Sequence, residues 1–360
     1  MQGAVGLSWF APLVEEAPTA GKPANGVEEN RGEPRRLRHL TRMANLILRP
    51  SWHLPERLVT PEHSFLNRRR FLQQIGLAGA AFTAGTLSAA EATSTATVKV
   101  ASHYPAKRSP EFNPGWKLTN EEVAGSYNNF YEFSLNKAEV RKLTARFVTS
   151  PWPIEITGLV EKPMTIDAQE LIEQFPLEER VYRFRCVEAW AMIVPWTGFP
   201  LSKLIEKAKP KPEAKFVRFE TFNRPEQAPG FKQLPRYPWP YHEGLRMDEA
   251  MNPLTLLTTG IYGKPLAKQH GAPVRIVVPW KYGYKSIKSI VKIQFVEKQP
   301  TTLWEELAPD EYPFESNVNP KVPHPRWSQA FERMIDTDDR VRTQPFNGYA
   351  DQVAKLYAKG

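Results

Sequence analysis

A single thiol, Cys186, stands in 360 residues, and a lone cysteine cannot close an intramolecular disulfide. What remains for it is metal ligation, nucleophilic or redox chemistry, or a place in the core as a small buried hydrophobe. Its neighbours favour chemistry. Residues 183–200 read Arg-Phe-Arg-Cys-Val-Glu-Ala-Trp-Ala-Met-Ile-Val-Pro-Trp-Thr-Gly-Phe-Pro. Arg183 and Arg185 lead into the thiol at the two-residue period of a strand, and adjacent positive charge lowers a thiol pKa toward the thiolate that binds metals. Glu188 and Trp190 follow, then a Pro-Trp-Thr-Gly-Phe-Pro segment with the punctuation of a turn. The pattern predicts a strand that delivers Cys186 to a pocket built from loops.

Two other stretches carry unusual chemistry. Ser126-Tyr127-Asn128-Asn129-Phe130-Tyr131-Glu132-Phe133 sets two amides and a carboxylate among aromatics, a mixture ill-suited to a plain core. From His270 the chain reads as a buried strand, Val274 to Val278, ending in a loop rich in Gly, Ser and Lys. Basic and small residues at a strand end suit a phosphate.

The elements that position these stretches alternate between helix and strand. The length allows about two domains or one large one, and a 41% hydrophobic content can fill a sizeable core. With 34 prolines the elements must be short and the connections long, as in mixed α/β or β-rich proteins and unlike a helical bundle. Capping chemistry predicts a helix start over Thr119–Val123. Periodicity predicts strands over Ile154–Val160, Phe216–Phe222 and Ile290–Phe295. Helices are predicted over Asp167–Phe175, Leu201–Ala208 and, with a proline interruption, Met247–Thr258. From Trp304 the tail reads as irregular until a short helix near Asp351–Tyr357. The formal charge of +9 invites a nucleic-acid reading, but the basic residues are scattered and no RNP, zinc-finger or basic-helix signature is present. No nucleic-acid partner is expected.

The N-terminal region divides in two. Residues 1–42 are rich in Gly, Ala, Pro, Glu and Arg without apolar period, the composition of a disordered or non-native extension, and Met43 offers an alternative start. Residues 43–90 hold Asn-Arg-Arg-Arg-Phe-Leu-Gln from Asn67, then a short apolar run rich in Ala and Gly, then small residues. That is the pattern of a twin-arginine export signal, with Arg68 and Arg69 as the pair and cleavage after Ala90 or Ala92. It predicts a periplasmic protein exported folded, and no own transmembrane anchor, because the run is too short and Gly-rich to span a bilayer.

Taken together these motifs resemble the sulfite-oxidase-type molybdopterin family, within it the catalytic subunits that reduce methionine sulfoxide in periplasmic proteins. The resemblance runs from about residue 43 to the C-terminus. It rests on Arg-Pro-Ser-Trp-His at 49–53, the 126–133 stretch, Arg-Cys-Val-Glu-Ala-Trp at 185–190, His-Gly-Ala-Pro-Val-Arg at 270–275, Pro-Trp-Lys-Tyr-Gly-Tyr-Lys-Ser-Ile-Lys at 279–288 and Phe-Asn-Gly-Tyr at 346–349. It implies a mixed α/β (α+β) molybdopterin oxidoreductase domain over residues 91–360. It also implies one molybdenum per chain, held by two dithiolene sulfurs, oxygen ligands and the Cys186 thiolate. By the same resemblance Asn128, Tyr131 and Glu132 lie on the pterin. Thr221, His270, Arg275, Ser286, Ile287 and Lys288 surround its ring and phosphate, and Asn129 and Glu188 line the metal pocket. Plainer roles stand beside these: Ile287 contributing backbone alone, Tyr131 as core, Glu188 as the partner of an arginine.

Soft thiolate and dithiolene ligands suit a redox metal, and guanidinium and ammonium groups suit a phosphate. With one cysteine the chain lacks a Cys-x-x-Cys-His haem attachment and a set for an iron–sulfur cluster, so electrons must come from outside. The resemblance implies a haem-containing membrane subunit as donor and oxidised periplasmic proteins as substrates. Alternatives are a reductase of small S-oxides or N-oxides, a sulfite oxidase-like enzyme, and, outside enzymes, a cofactor-free periplasmic binding protein.

Overall fold

The computed structural model of the chain describes residues 102–358, within the compact unit Thr83–Gly360. The predicted extension 1–42 and signal region 43–90 lie outside the described residues. Among these, twelve strands form two sheets: β1 (Pro153–Gly158), β2 (Met164–Asp167), β3 (Glu178–Arg185), β4 (Trp190–Pro200), β5 (Phe216–Thr221), β6 (His242–Arg246), β7 (Leu256–Ile261), β8 (Lys264–Pro265), β9 (Arg275–Val277), β10 (Ile290–Val296), β11 (Phe331–Met334) and β12 (Arg340–Arg342). The five-stranded sheet runs β2-β1-β10-β5-β6. The seven-stranded sheet runs β12-β11-β4-β7-β8, with β3 on β4 and β9 on β7. β1–β10 and β4–β11 are parallel pairs and the others antiparallel, so the class is mixed α/β (α+β), as expected.

Local chemistry accounts for most elements. Helix α1 (Glu121–Ser126) starts where Asn120 accepts from the N–H groups of Glu122 at 2.9 Å and Val123 at 3.3 Å, satisfying donors a helix N-terminus leaves free. Asp167 caps α2 (Ala168–Gln174) in the same way. Helix α3 (Leu201–Ala208) buries Leu201, Leu204, Ile205 and Ala208, one helical face. In β5, Val217, Phe219 and Thr221 point inward at the period of two. Beneath the 126–133 stretch, Phe130, Phe133, Phe147, Trp152 and Phe222 form an edge-to-face and tilted cluster, with Phe147 and Phe222 centroids 4.4 Å apart.

Three expectations need correction. The Pro-Trp-Thr-Gly-Phe-Pro segment is the second half of β4, buried between β3 and β7. Pro195 contributes its carbonyl, which accepts from Tyr262 N–H at 3.0 Å. Gly198 gives the room β7 needs: a Cβ there would meet Leu257 O at 2.1 Å. Residues 247–258 are helical only over Met247–Ala250, because Asn252–Pro253 stops the helix and the following apolar residues become the fully buried strand β7. The tail contributes β11, β12 and α4 (Leu303–Leu307), capped by Thr302. Its elements are too short for periodicity to reveal. Among the described residues no helix is long and apolar enough to cross a membrane.

Candidate functional site

β3 ends at Arg185 and β4 begins at Trp190, so Cys186 sits in the turn of a hairpin. The turn closes by Cys186 N–H to Trp190 O at 2.9 Å and Ala189 N–H to Cys186 O at 3.2 Å, with Ala189 in the left-handed region at φ 63°. A non-glycine residue there costs of order 1–2 kcal/mol and is held by its surroundings. Those surroundings are the tail. Gln329 and Trp327 donate to Val187 O at 2.7 and 2.8 Å. Arg185 donates to Glu332 at 2.9 Å, to Gln329 Oε1 at 2.7 Å and to Cys186 O, and Arg183 pairs with the other Glu332 oxygen.

The two arginines therefore serve Glu332, not the thiol. The expectation that they lower the thiol pKa fails: burial and the Glu188 charge push the Cys186 thiol up, outweighing Lys137 and Arg185. In the cofactor-free chain the thiol is protonated, and a bound metal would have to displace that proton. Glu332→Leu is expected to strand two buried guanidinium groups and cost about 3–5 kcal/mol, read as a lower denaturant midpoint. A loss under about 1 kcal/mol would show that the pair does not hold the hairpin.

Around the sulfur the contacts are polar. Asn129 Nδ2 donates to Sγ at 3.3 Å and to Glu188 Oε2 at 3.4 Å, and Glu188 N–H donates to Sγ at 3.4 Å. Glu188 is not the partner of an arginine: Lys137 Nζ lies 3.1 Å away and the Trp190 indole donates at 3.1 Å. Burial pushes Glu188 up, but Lys137, Trp190 and Asn129 together hold the carboxylate below its ordinary range, and Glu188 in turn raises Lys137. A carboxylate and an ammonium thus face the thiol side by side.

The same cleft is also lined by cations. Arg275, at the start of β9, is buried, and its guanidinium donates only to the carbonyls of Ile276, His270 and Ser286 at 3.2, 3.0 and 2.9 Å. Lys288 Nζ donates to Asn129 O at 2.6 Å, tying this cation to the segment beside the sulfur. Among the described residues neither cation has a carboxylate within ion-pair distance. Burial lowers Arg275 to about 9 and, with Arg275, lowers Lys288 to about 7, while Glu132 pulls Lys288 back up. Burial with the same two cations lowers His270 to about 3, so its ring is neutral. Gly271 makes the approach of Lys288 possible: its φ is 95°, and a Cβ would stand 2.6 Å from the Lys288 Cβ.

Of the expected residues, Cys186, Glu188, Asn129, Asn128, Tyr131, Glu132, His270, Arg275, Ser286, Ile287 and Lys288 all line this one cleft. Thr221 does not. Its hydroxyl donates to Lys288 O and Ser289 O at 2.8 and 3.0 Å, behind the cationic loop. Ser286 Oγ accepts from Val278 N–H at 3.0 Å, and Ile287 gives its carbonyl to Ile276 N–H at 3.2 Å. Glu132, pushed up to about 7 by burial, follows Tyr131 in a segment pinned by Gly230 N–H to Glu132 O at 2.7 Å. A Cβ on Gly230 would meet Tyr131 O at 1.9 Å.

Sequence reasoning missed Lys137 and the aromatic wall of Tyr241, Tyr284, Trp304 and Tyr312. It also missed the tail clamp of Trp327, Gln329 and Glu332. Tyr284 stands inside the 279–288 run; the others carry no local mark, and only the fold brings the aromatics to the cleft and Lys137 and the clamp to its thiol hairpin.

A metal–pterin group fits what the cleft offers. Among the described residues no group of three or more His, Cys, Asp or Glu could hold a metal ion, so a metal beside Cys186 depends on ligands the cofactor brings. Two buried cations without a carboxylate at ion-pair distance among the described residues suit an anion such as a phosphate. Asn128 Oδ1 and Asn129 Oδ1 are buried without partners, acceptors available to ring N–H groups.

Residues 141–304 match the family described as the oxidoreductase molybdopterin binding domain. The chain is 49% identical over 316 residues to the protein-methionine-sulfoxide reductase catalytic subunit of Xanthomonas axonopodis pv. citri, covering 86% of this chain and 97% of that one. The protein of the same name from Burkholderia mallei is 48% identical over 308 residues, covering 84% and 93%. Among solved structures, the sulfane dehydrogenase SoxCD of Paracoccus pantotrophus matches 53% of this chain and 56% of its own at TM-score 0.36 and 19% identity, a likeness too slight to argue from. A cleft with one buried thiol and two uncompensated cations, in a chain nearly half identical to these relatives along almost their whole length, places it in one group: the chain belongs to the molybdopterin-binding oxidoreductase family, with the protein-methionine-sulfoxide reductase catalytic subunits.

Proposed function

We propose that the protein reduces methionine sulfoxide in exported proteins: sulfoxide, two electrons and two protons give thioether and water. The observation that carries this reading is the single cleft that joins the Cys186 thiol to the Arg275–Lys288 pair, in a chain 49% identical to a reductase of that name. Arg275 and Lys288 would hold the cofactor phosphate, Asn128, Asn129 and Glu132 its pterin, and Cys186 the metal, with one molybdenum per chain and no attached haem. When bound, the molybdenum centre supplies the two-electron chemistry. The chain's own part is to orient the thiol with two N–H donors and to keep Glu188 charged at the cleft wall through its ion pair with Lys137. There, Lys137 can release a proton toward the reacting oxygen and recover it from solvent. Oxidised periplasmic proteins are the substrates, and a haem-containing membrane subunit delivers the electrons.

Purified, molybdenum-loaded protein given a reduced viologen dye should consume two dye electrons per thioether formed from an oxidised protein. Turnover confined to small S-oxides or N-oxides, or oxidation of sulfite instead, would overturn the reading.

Export through the twin-arginine pathway belongs to the same reading, because a pterin held by residues as distant as Asn128 and Lys288 is retained only by a folded chain. Replacing Arg68, Arg69 and Arg70 by Lys keeps charge but removes the planar guanidinium fork. The variant is expected to accumulate in the cytoplasm as folded, molybdenum-containing precursor. Cleaved variant in the periplasm at wild-type level would show that the leader is read otherwise.

A further inference from the structure

Beside the cleft runs a second, larger groove, with empty space of about 1760 Å³, open mouth included. Val187 and Tyr284 border both. The groove therefore begins one residue past Cys186. The 310–325 loop forms one wall, and Phe346 and Tyr357 also line the groove. The rim is open: Val322 is 60% exposed, between exposed Lys321 and Pro323, with Pro325 exposed beyond, and the same wall carries exposed Asp310 and Glu315.

One polar group in that wall makes no hydrogen bond. His324 is buried, and its Nδ1 accepts from Arg326 N–H at 3.2 Å, so the proton of the neutral ring is on Nε2. Burial holds the ring neutral by lowering its pKa. The Nε2 atom has no hydrogen-bond partner; the nearest carboxylate oxygen, on Glu311, lies 3.4 Å away and out of line. The ring stacks on Trp327 at 3.8 Å, and the Trp327 indole donates to Val187 O. This spare donor is thus tied to the residue that follows Cys186.

We propose that the groove receives an extended stretch of the oxidised polypeptide next to its sulfoxide residue, with His324 Nε2–H donating to a backbone carbonyl of that stretch. The proposal rests on the reductase reading above. A sulfoxide side chain that reaches Cys186 leaves its main chain at the mouth of the cleft, where the groove starts, and each further residue advances about 3.3 Å along it. Asp310 and Glu315 in the same wall favour a basic flank, while prolines and a donor to backbone make little demand on side-chain identity. That suits an enzyme whose substrates share a sulfoxide and a main chain and little else. Free methionine sulfoxide has no flanking chain and gains nothing from the groove.

The test uses the loaded, full-length enzyme and two substrates: free methionine sulfoxide, and a peptide of about twelve residues with one methionine sulfoxide among Gly, Ser and Lys. Val322→Glu changes an exposed residue outside the cleft. It is expected to raise KM for the peptide about tenfold, with kcat for the peptide and kcat/KM for the free amino acid unchanged. His324→Phe, which keeps the stack on Trp327 and removes the donor, should shift peptide KM in the same direction. A peptide carrying benzoylphenylalanine two residues from the sulfoxide should photo-cross-link within 318–325. Equal loss on both substrates, no loss on either, or cross-links elsewhere would overturn the groove. Wild-type enzyme that reduces neither substrate yet cross-links the peptide at 318–325 would overturn the reductase reading and leave the groove standing.

Discussion

Cys186→Ser is expected to abolish sulfoxide turnover while leaving the protein folded. A hydroxyl is nearly isosteric with a thiol but is a poor ligand for a soft metal. It can accept from the Asn129 amide and Glu188 N–H, which now stand 3.3 and 3.4 Å from the sulfur, so the hairpin keeps its contacts and the stability change should stay near about 1 kcal/mol. The loss of activity should exceed the roughly 10–100-fold that outer-shell changes at metal sites produce. Turnover within about tenfold of wild type, with unchanged thermal unfolding, would remove Cys186 from the chemistry.

Lys288→Met should act in opposite directions on cofactor and on chain. In the cofactor-free protein Lys288 is a buried cation without an ion-pair partner among the described residues, and burial lowers it from 10.5 to about 7. Below pH 7 it is charged in both folded and unfolded states, and the penalty for burying that charge is fully present. From pH 7 to about 10.5 the folded state sheds its proton before the unfolded state does, so this group makes stability rise with pH there. Methionine keeps much of the stem that packs on Gly271 and removes the charge. The cofactor-free variant should unfold higher at neutral pH, by about 2–4 °C for each kcal/mol relieved, and lose the rise between pH 7 and 10.5. The same variant, expressed with molybdate, should retain under about a tenth of wild-type molybdenum, because one of the two cations proposed to hold the phosphate is gone. Full metal content with unchanged stability would show that Lys288 is a core residue and holds nothing.

Much of the cleft was legible because its chemistry is written in contiguous runs. Residues 126–133, 185–190 and 270–288 each join several polar or charged groups within a few positions, and each run reaches the cleft. What remained hidden depends on long-range contact. Arg183 and Arg185 look like activators of the thiol beside them, and only the placement of β11 against β4 shows that Glu332, nearly 150 residues on, takes both. Lys137 carries no local mark of its pairing with Glu188. Among the elements, α3 was readable to the residue because its buried positions recur at helical spacing. Residues 256–258 were read as helix because a fully buried strand has no alternation to distinguish it, and the two prolines of β4 disguised a strand as a turn.

The claim on which everything else depends is that Cys186 ligates molybdenum. X-ray absorption at the molybdenum edge, on loaded wild type and on Cys186→Ser, measures it directly. The account predicts three sulfur neighbours in the wild type, two of them from the dithiolene, and two in the serine variant. The same sulfur count in both proteins would contradict it.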